Sequence, residues 1–140
     1  MAFQESLAIP FFGGDGWESS KLVEIGKDAV EGHYFSTHYH PEVGSPLSKK
    51  FVENYKKRWN SKVPDALAAC GYDSAIVLVD AMKRAGSTEG PKVRDALAAT
   101  KDFDAVTGRI TLSAQRDAIK SAVILQVKGG KFAYLETVKP

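Results

Sequence analysis

Apolar and polar residues follow one another along this chain in blocks whose spacing switches between strand and helix periods. The apolar run at residues 7–12 predicts a buried strand, and residues 32–38 predict a second one. A helix is predicted between them, at residues 18–27. Residues 41–46, with prolines at both ends, predict a turn region.

Three further helices are predicted in the middle of the chain. The first presents an apolar face made by every fourth residue, namely Leu47, Phe51, Tyr55 and Trp59. The second covers residues 65–85 and ends at Gly86, a residue type that commonly terminates helices. Its predicted apolar face consists of Ala69, Tyr72, Ile76, Val79 and Met82. The third covers residues 91–99, with Val93 and Leu97 facing inward.

The last part of the chain predicts a β-hairpin. Two apolar runs, residues 121–127 and 131–138, flank Gly129 and Gly130, and a Gly-Gly loop between such runs is a strong hairpin signal. Residues 103–112 are predicted to be irregular or weakly extended. The alternation of strands and helices predicts one α/β domain over residues 1–140, as a layered α/β/α, flavodoxin-like fold with a C-terminal β-hairpin.

Composition excludes several classes of protein. With 19 basic and 17 acidic residues the net charge is +2, which predicts no nucleic-acid partner. The single cysteine, Cys70, excludes an intrachain disulfide and is predicted to be a small buried residue. No apolar stretch is long enough to cross a bilayer, so no membrane insertion is predicted. Residues 1–6 resemble the stump of a helix and not a signal peptide, which predicts a cytoplasmic location for the chain as written.

The glycine-rich turn around Asp15 is the best candidate for a site. Ligands of open α/β folds sit where strand ends meet helix starts, and Asp15 falls between the first strand and the first helix. A carboxylate there can bind a cation, and Gly16 lets a small ligand approach the backbone. From spacing alone, an ordinary turn aspartate remains the alternative, because Asp-Gly is common turn chemistry.

Other chemistry is less well supported. His38 and His40 would share one face of a strand, with His33 nearby, but zinc sites normally use three or four ligands. We therefore predict no metal site and no bound zinc. No hydrolase elbow, phosphate loop or Cys-x-x-Cys pattern occurs, so no cofactor and no enzymatic activity are predicted.

Several segments taken together resemble a known family. The segments IPFFGGDGW, AVEGHYFSTHYHP and PDALAACGYDSAIVLVDAMKRAGS occur in the order in which they occur in the solute-binding proteins of branched-chain amino-acid ABC transporters, the type I periplasmic binding proteins. The resemblance extends over nearly all 140 residues and corresponds to the C-terminal part of those longer proteins. It implies half of a periplasmic-binding-protein lobe as the alternative to a flavodoxin-like fold.

The resemblance also implies roles for particular residues. Asp15 matches the acid that pairs with the α-ammonium of a bound amino acid, and Gly16 lies beside it. Trp17 is interpreted either as a pocket wall or as core packing. Leu67 matches a position that often carries an aromatic wall residue, and leucine departs from that pattern.

The resulting hypothesis is a non-enzymatic solute-binding module whose amino-acid binding is weak or lost, because the carboxylate-binding half of the site is missing. The alternative is an engineered or fold-evolution fragment with a structural role and no ligand, and a small enzyme is a third possibility. Expected partners are an amino acid, a second copy in a homodimer, and, for the full-length family, the missing lobe and the ABC permease. Full-length relatives are expected in the periplasm or outside the cell.

Overall fold

The computed structural model describes residues 9–43 and 45–140. The predicted helix stump at residues 1–6 and the beginning of the strand predicted at 7–12 lie outside these ranges. In chain order the described elements are β1 (Phe12–Gly13), α1 (Ser20–Gly26), β2 (Tyr34–Thr37), α2 (Pro46–Arg58), α3 (Ala66–Ala85), α4 (Gly90–Ala98), β3 (Phe103–Ala105), β4 (Gly108–Leu112), β5 (Ala118–Ile119), β6 (Ala122–Lys128) and β7 (Lys131–Val138), with 3-10 turns at Asp15–Trp17 and Lys27–Val30.

Side-chain caps explain where the helices begin. The Ser19 hydroxyl accepts from the backbone N–H of Lys21 ahead of α1, and the Asp65 carboxylate accepts from that of Ala68 ahead of α3. Helix α3 ends where Gly86 adopts a left-handed conformation with φ of 58°. The prediction of a long helix over 65–85 is confirmed to within one residue.

One mixed sheet within the described residues has the strand order β1-β2-β6-β7. Strand β1 runs parallel to β2, whereas β2–β6 and β6–β7 are antiparallel. The predicted C-terminal hairpin is confirmed as β6 and β7, with Gly129 and Gly130 both at positive φ in the turn. The buried residues of this four-stranded sheet are Phe35, Val123, Leu125 and Val127, and Leu22 and Val23 of α1 pack against them.

Residues 103–112, predicted to be irregular or weakly extended, form a regular hairpin, so the extended alternative is confirmed and the irregular one is wrong. Strands β3 and β4 pair antiparallel, and β5 adds to β4 in a sheet separate from the first. The turn between β3 and β4 is fixed from α3, because the buried Asp73 carboxylate accepts from the backbone N–H groups of Val106 and Thr107, each at 2.8 Å. This long-range contact stabilises a hairpin that its local sequence only weakly predicts.

The buried face of α3 also differs from the predicted one. Of the five residues predicted to face inward only Ala69 is buried, while Tyr72 and Val79 are each 48% exposed. The buried residues of the helix are Ala66, Ala69, Asp73, Val77 and Ala81. The face is rotated because the hydrogen bonds of Asp73 place a charged residue inside. Gly71 lies on the exposed side of α3 with open space around it, so no close packing contact requires a glycine at this position.

The two remaining helices are only partly buried. Phe51 of α2 is buried, but Leu47 and Trp59 at the ends of its predicted apolar face are 46% and 50% exposed. In α4, Val93 is buried as predicted and Leu97 is half-buried. Within the ranges that the structure describes, no helix combines the length and apolarity needed to cross a membrane.

Candidate functional site

Three segments meet around the glycine-rich turn: the 3-10 turn that follows β1, the end of β2, and the start of α3. Asp15 opens the 3-10 turn, and His38 follows the last residue of β2. The His38 imidazole Nε2 lies 3.2 Å from Asp15 Oδ2, and both side chains are more than half exposed. The predicted carboxylate is therefore accessible, with one oxygen next to an imidazole.

Glu18 connects these three segments. Its Oε1 accepts from the backbone N–H of Ala66 at 3.0 Å, and its Oε2 accepts from the hydroxyl of Thr37. The carboxylate thus satisfies a free N–H group in the first turn of α3, where negative charge is favourable. Because Thr37 is the last residue of β2, the Glu18 carboxylate links the segment that carries Asp15 to both the end of β2 and the start of α3.

Lys120 fixes the end of β2 through hydrogen bonds of its side chain. Its Nζ donates to the backbone carbonyl of His38 at 2.9 Å and to the hydroxyl of Thr107. Burial lowers the pKa of Lys120 from its ordinary value, and the nearby Cys70 and Asp73 partly offset that effect. The His38 backbone is therefore fixed by a side chain from the segment between β5 and β6.

Trp17 packs inward in this structure. It joins the cluster around Phe35 and Leu125, and its indole ring lies over Gly13. A Cβ atom at Gly13 would lie 2.3 Å from Trp17 Cδ2, so no larger residue fits there without displacing the ring. Core packing is therefore the interpretation of Trp17 that its contacts favour. Gly16, in contrast, is exposed with open space beside it.

Leu67 lies in the first turn of α3, one residue after Ala66, and is 77% exposed. The hydrogen bond from Ala66 to Glu18 brings this turn near the Asp15 segment. Cys70, one turn further along, is half-buried, and burial raises the pKa of its thiol.

The other two histidines have aromatic neighbours. The His33 ring meets the Phe11 ring edge-on with the ring centroids 5.1 Å apart, and the His40 ring stacks with the Tyr134 ring with the centroids 6.4 Å apart. Burial lowers the pKa of His40 from its ordinary value. Within residues 9–43 and 45–140, no three His, Cys, Asp or Glu side chains come together as potential metal ligands.

Sequence reasoning proposed Asp15 as a candidate but did not point to Glu18, Thr37 or Lys120, whose side chains hold the segments around it. Each of these side chains acts on a partner far away in the sequence; Ala66, for example, is 48 residues from Glu18. The only local signal was the position of Glu18 immediately after the GGDGW turn.

Comparison with known proteins gives a consistent result. Residues 6–131 match the sequence model of a family described as periplasmic binding protein. The chain is similar to a leucine-binding protein from Thermotoga maritima, with 42% identity and a TM-score of 0.84. That alignment covers 93% of this chain and 37% of the other.

A second similar structure is a branched-chain amino acid transporter substrate-binding protein from Streptococcus pneumoniae in complex with isoleucine. The identity is 32% and the TM-score 0.81, with 94% of this chain and 37% of the other covered. This chain therefore spans about 37% of the length of these proteins. The resemblance inferred from the sequence is confirmed, and a periplasmic-binding-protein lobe is the fold alternative that these structures match.

Proposed function

Because the chain belongs to the periplasmic binding protein family, we propose that it forms the C-terminal part of an amino-acid receptor of an ABC transporter. Members of this family bind solutes and are not enzymes, in agreement with the prediction of no enzymatic activity. The observation that carries the proposal is the accessible Asp15 carboxylate on a glycine-rich turn, held between the end of β2 and the start of α3.

The proposed ligand is a small apolar α-amino acid such as leucine, isoleucine or valine. Asp15 accepts hydrogen bonds from its ammonium group, a charge-assisted contact of the stronger kind. Gly16 leaves room for the ligand to approach the backbone. Leu67 contacts the ligand's apolar side chain, and the indole of Trp17 supports the turn from below.

The isolated chain is proposed to bind such a ligand weakly. Donors for the ligand carboxylate belong, in this proposal, to the part of the receptor outside these 140 residues. A hydrogen bond to a charged group contributes about 1.5–3 kcal/mol, whereas even millimolar affinity requires about 4 kcal/mol in total. Asp15 and apolar contacts alone therefore support millimolar binding at best.

Titration of the 15N-labelled chain with leucine, isoleucine and valine is expected to shift the amide signals of Asp15, Gly16 and Trp17, with a dissociation constant in the millimolar range or weaker. Asp15→Asn keeps the size of the side chain but removes its charge, and should weaken binding about tenfold. Asp28→Asn is the matched control, since Asp28 is an exposed acid on the next 3-10 turn.

Two results would contradict this proposal in different ways. Micromolar affinity that depends on Asp15 would show that these residues form a complete site and that the weak-binding part is wrong. Equal affinities of wild type, Asp15→Asn and Asp28→Asn would remove Asp15 from the site. Absence of any shift at the solubility limit would favour the alternative of a structural fragment without a ligand.

The full-length receptor is proposed to have further partners. The remaining lobe would supply the other half of the ligand site, and an ABC permease would receive the ligand. We propose a periplasmic or extracellular location for that receptor, and the family description supports the periplasmic one.

A homodimer is the proposed assembly of the isolated chain. Its support is the exposed apolar surface of α3, on which Leu78 and Val79 are 39% and 48% exposed. The apolar residues Ile76, Ile124 and Leu125 are also predicted from the sequence to lie on this contact surface, and of these Ile76 and Ile124 are half-buried. The expectation for Leu125 is wrong, because β2 and β7 flank it and leave it fully buried.

Light scattering at high micromolar concentration is expected to give about twice the chain mass of 15.2 kDa. The double substitution Leu78→Ser and Val79→Ser should shift the mass towards one chain, because it removes apolar surface from the contact. A double substitution of two exposed α2 residues, Lys49→Ser and Glu53→Ser, is the control and should leave the mass unchanged. A wild-type mass near 15.2 kDa would contradict the dimer.

A further inference from the structure

A second cleft lies between α2, α3 and β3, and it does not include the Asp15 turn. Its volume is about 350 Å³, within the range of about 300–1,000 Å³ that is typical of small-molecule sites. Leu47 and Ile76 line it together with a row of aromatic side chains. Leu47 is nearly half exposed, so a ligand in the cleft would cover apolar surface.

Four aromatic rings follow one another along this cleft. The ring centroids of Tyr72 and Phe51 are 4.9 Å apart, those of Phe51 and Tyr55 5.8 Å, and those of Tyr55 and Trp59 6.1 Å. Phe51 is buried, whereas the two terminal rings, Tyr72 and Trp59, are 48% and 50% exposed. The row thus has a fixed centre and accessible ends on which a flat molecule can stack.

The charges that line the cleft are mostly positive. Lys50 and Arg58 are exposed on α2, and in the part of the chain that the structure describes neither is in an ion pair. The Arg58 guanidinium carbon lies 5.6 Å from the centre of the Trp59 ring, which orients it by a cation–π contact. The acid in the lining, Asp104, is paired with Arg109 at 3.2 Å.

From these contacts we propose that the cleft binds a small aryl carboxylate. The aromatic ring of the ligand stacks on Trp59, and its carboxylate pairs with the neighbouring guanidinium of Arg58, whose planar fork matches a carboxylate in two hydrogen bonds. Lys50 adds a second positive charge on the same helix. This site is separate from the Asp15 turn, and its ligand needs no ammonium group.

Both features of the ligand are required by the lining. A saturated carboxylate would pair with Arg58 but would lose stacking on the rings. An uncharged aromatic would stack but leave the guanidinium without a partner. The proposal therefore predicts that 2-naphthoate binds more tightly than either cyclohexanecarboxylate or 2-naphthol.

Because the chain has two tryptophans, one near each proposed site, a single experiment can test both sites. Each indole N–H gives its own signal in a 15N–1H spectrum of the full chain, Trp59 reporting the cleft and Trp17 the Asp15 turn. Addition of 2-naphthoate is expected to shift the Trp59 indole signal saturably and to leave the Trp17 indole signal in place. Leucine, which tests the proposed amino-acid site, should leave Trp59 in place, so failure of one proposal is distinguishable from failure of the other.

Arg58→Gln removes the cation and should weaken 2-naphthoate binding by about two- to fivefold, within the range of exposed ion pairs. Lys57→Gln is the matched control, because Lys57 precedes Arg58 on the same helix but does not line the cleft. Trp59→Leu should abolish the selectivity for 2-naphthoate over cyclohexanecarboxylate, observed then through the amide signals of Tyr55 and Tyr72.

Several outcomes would overturn the proposal. One is that 2-naphthoate does not shift the Trp59 indole signal, and another is that cyclohexanecarboxylate shifts it by the same amount. A third is that Arg58→Gln and Lys57→Gln weaken binding equally, which would indicate non-specific charge attraction. A Trp59 signal that instead moves with the concentration of the protein itself would show that a second copy of the chain occupies the cleft.

Discussion

Replacing Asp73 by alanine is expected to reduce the free energy of unfolding by about 3–5 kcal/mol, the cost typical of removing one partner from a buried charged contact. Asp73 is 2% exposed and accepts from the backbone N–H groups of Val106 and Thr107. Alanine would leave both N–H groups buried without an acceptor, and would remove the negative charge that faces Lys120. Since whole domains are stable by about 5–15 kcal/mol, a loss of this size is a substantial fraction of the total.

Urea denaturation followed by circular dichroism measures this change. Asp80→Ala is the matched control, because Asp80 lies on the same helix, is partly exposed and pairs with Arg84, so it should cost no more than about 1 kcal/mol. Asp73→Asn should also destabilise, since its amide NH2 group cannot accept a hydrogen bond from an N–H group. A cost of Asp73→Ala no larger than that of Asp80→Ala would show that the β3–β4 turn does not depend on this carboxylate.

The second large effect is expected for Phe35→Ala, with a loss of about 3–5 kcal/mol. Phe35 is fully buried in β2, between β1 and β6, and its ring meets that of Phe132 edge-on at 4.9 Å. Removing the ring leaves a cavity in the centre of the sheet, which the paired strands on either side cannot close.

Phe12→Ala provides the comparison for this prediction, because Phe12 lies on the neighbouring strand β1 but is 63% exposed. It should cost less than about 1 kcal/mol in the same urea experiment. Similar losses for the two variants would mean that Phe35 is not enclosed as described.

Local sequence signals predicted the parts of the fold that depend on neighbouring residues. Asp65 and Gly86 mark the ends of α3 because capping is a contact between residues a few positions apart. The Gly129-Gly130 turn likewise predicted β6 and β7 correctly. In each case the residues that carry the signal also make the stabilising contact.

Where a distant contact decides the structure, the sequence was misleading. The apolar face predicted for α3 leaves Asp73 outside it, yet the N–H groups of Val106 and Thr107 hold this carboxylate inside and the buried face is rotated accordingly. The same contact orders the β3–β4 hairpin, which has only weak strand character of its own. Binary patterning assumes that charged residues face solvent, and a buried, hydrogen-bonded carboxylate violates that assumption.

In the candidate site, too, one part follows from local sequence and another part depends on contacts between distant residues. The glycines around Asp15 were sufficient to predict an accessible carboxylate at the end of the first strand. The supports of the turn, Glu18 on Ala66 and Lys120 on the His38 carbonyl, could not be predicted because they join segments that are distant in the chain. Resemblance to a family added a hypothesis that local pattern could not supply, namely that an acid at Asp15 would contact the ammonium end of an amino acid.

The pairing of β2 with β6 has a consequence during biosynthesis. Tyr34 and its partner Gln126 are 92 residues apart, and at about 5–20 residues per second a ribosome needs roughly 5–18 s to make the intervening chain. Throughout that interval the side of β2 that later meets β6 has no partner strand, and Phe35 lacks the part of its cluster that β6 and β7 supply, namely Val123, Leu125, Val127 and Phe132. The nascent chain therefore presents an unpaired strand edge to chaperones and to other nascent chains until β6 has emerged.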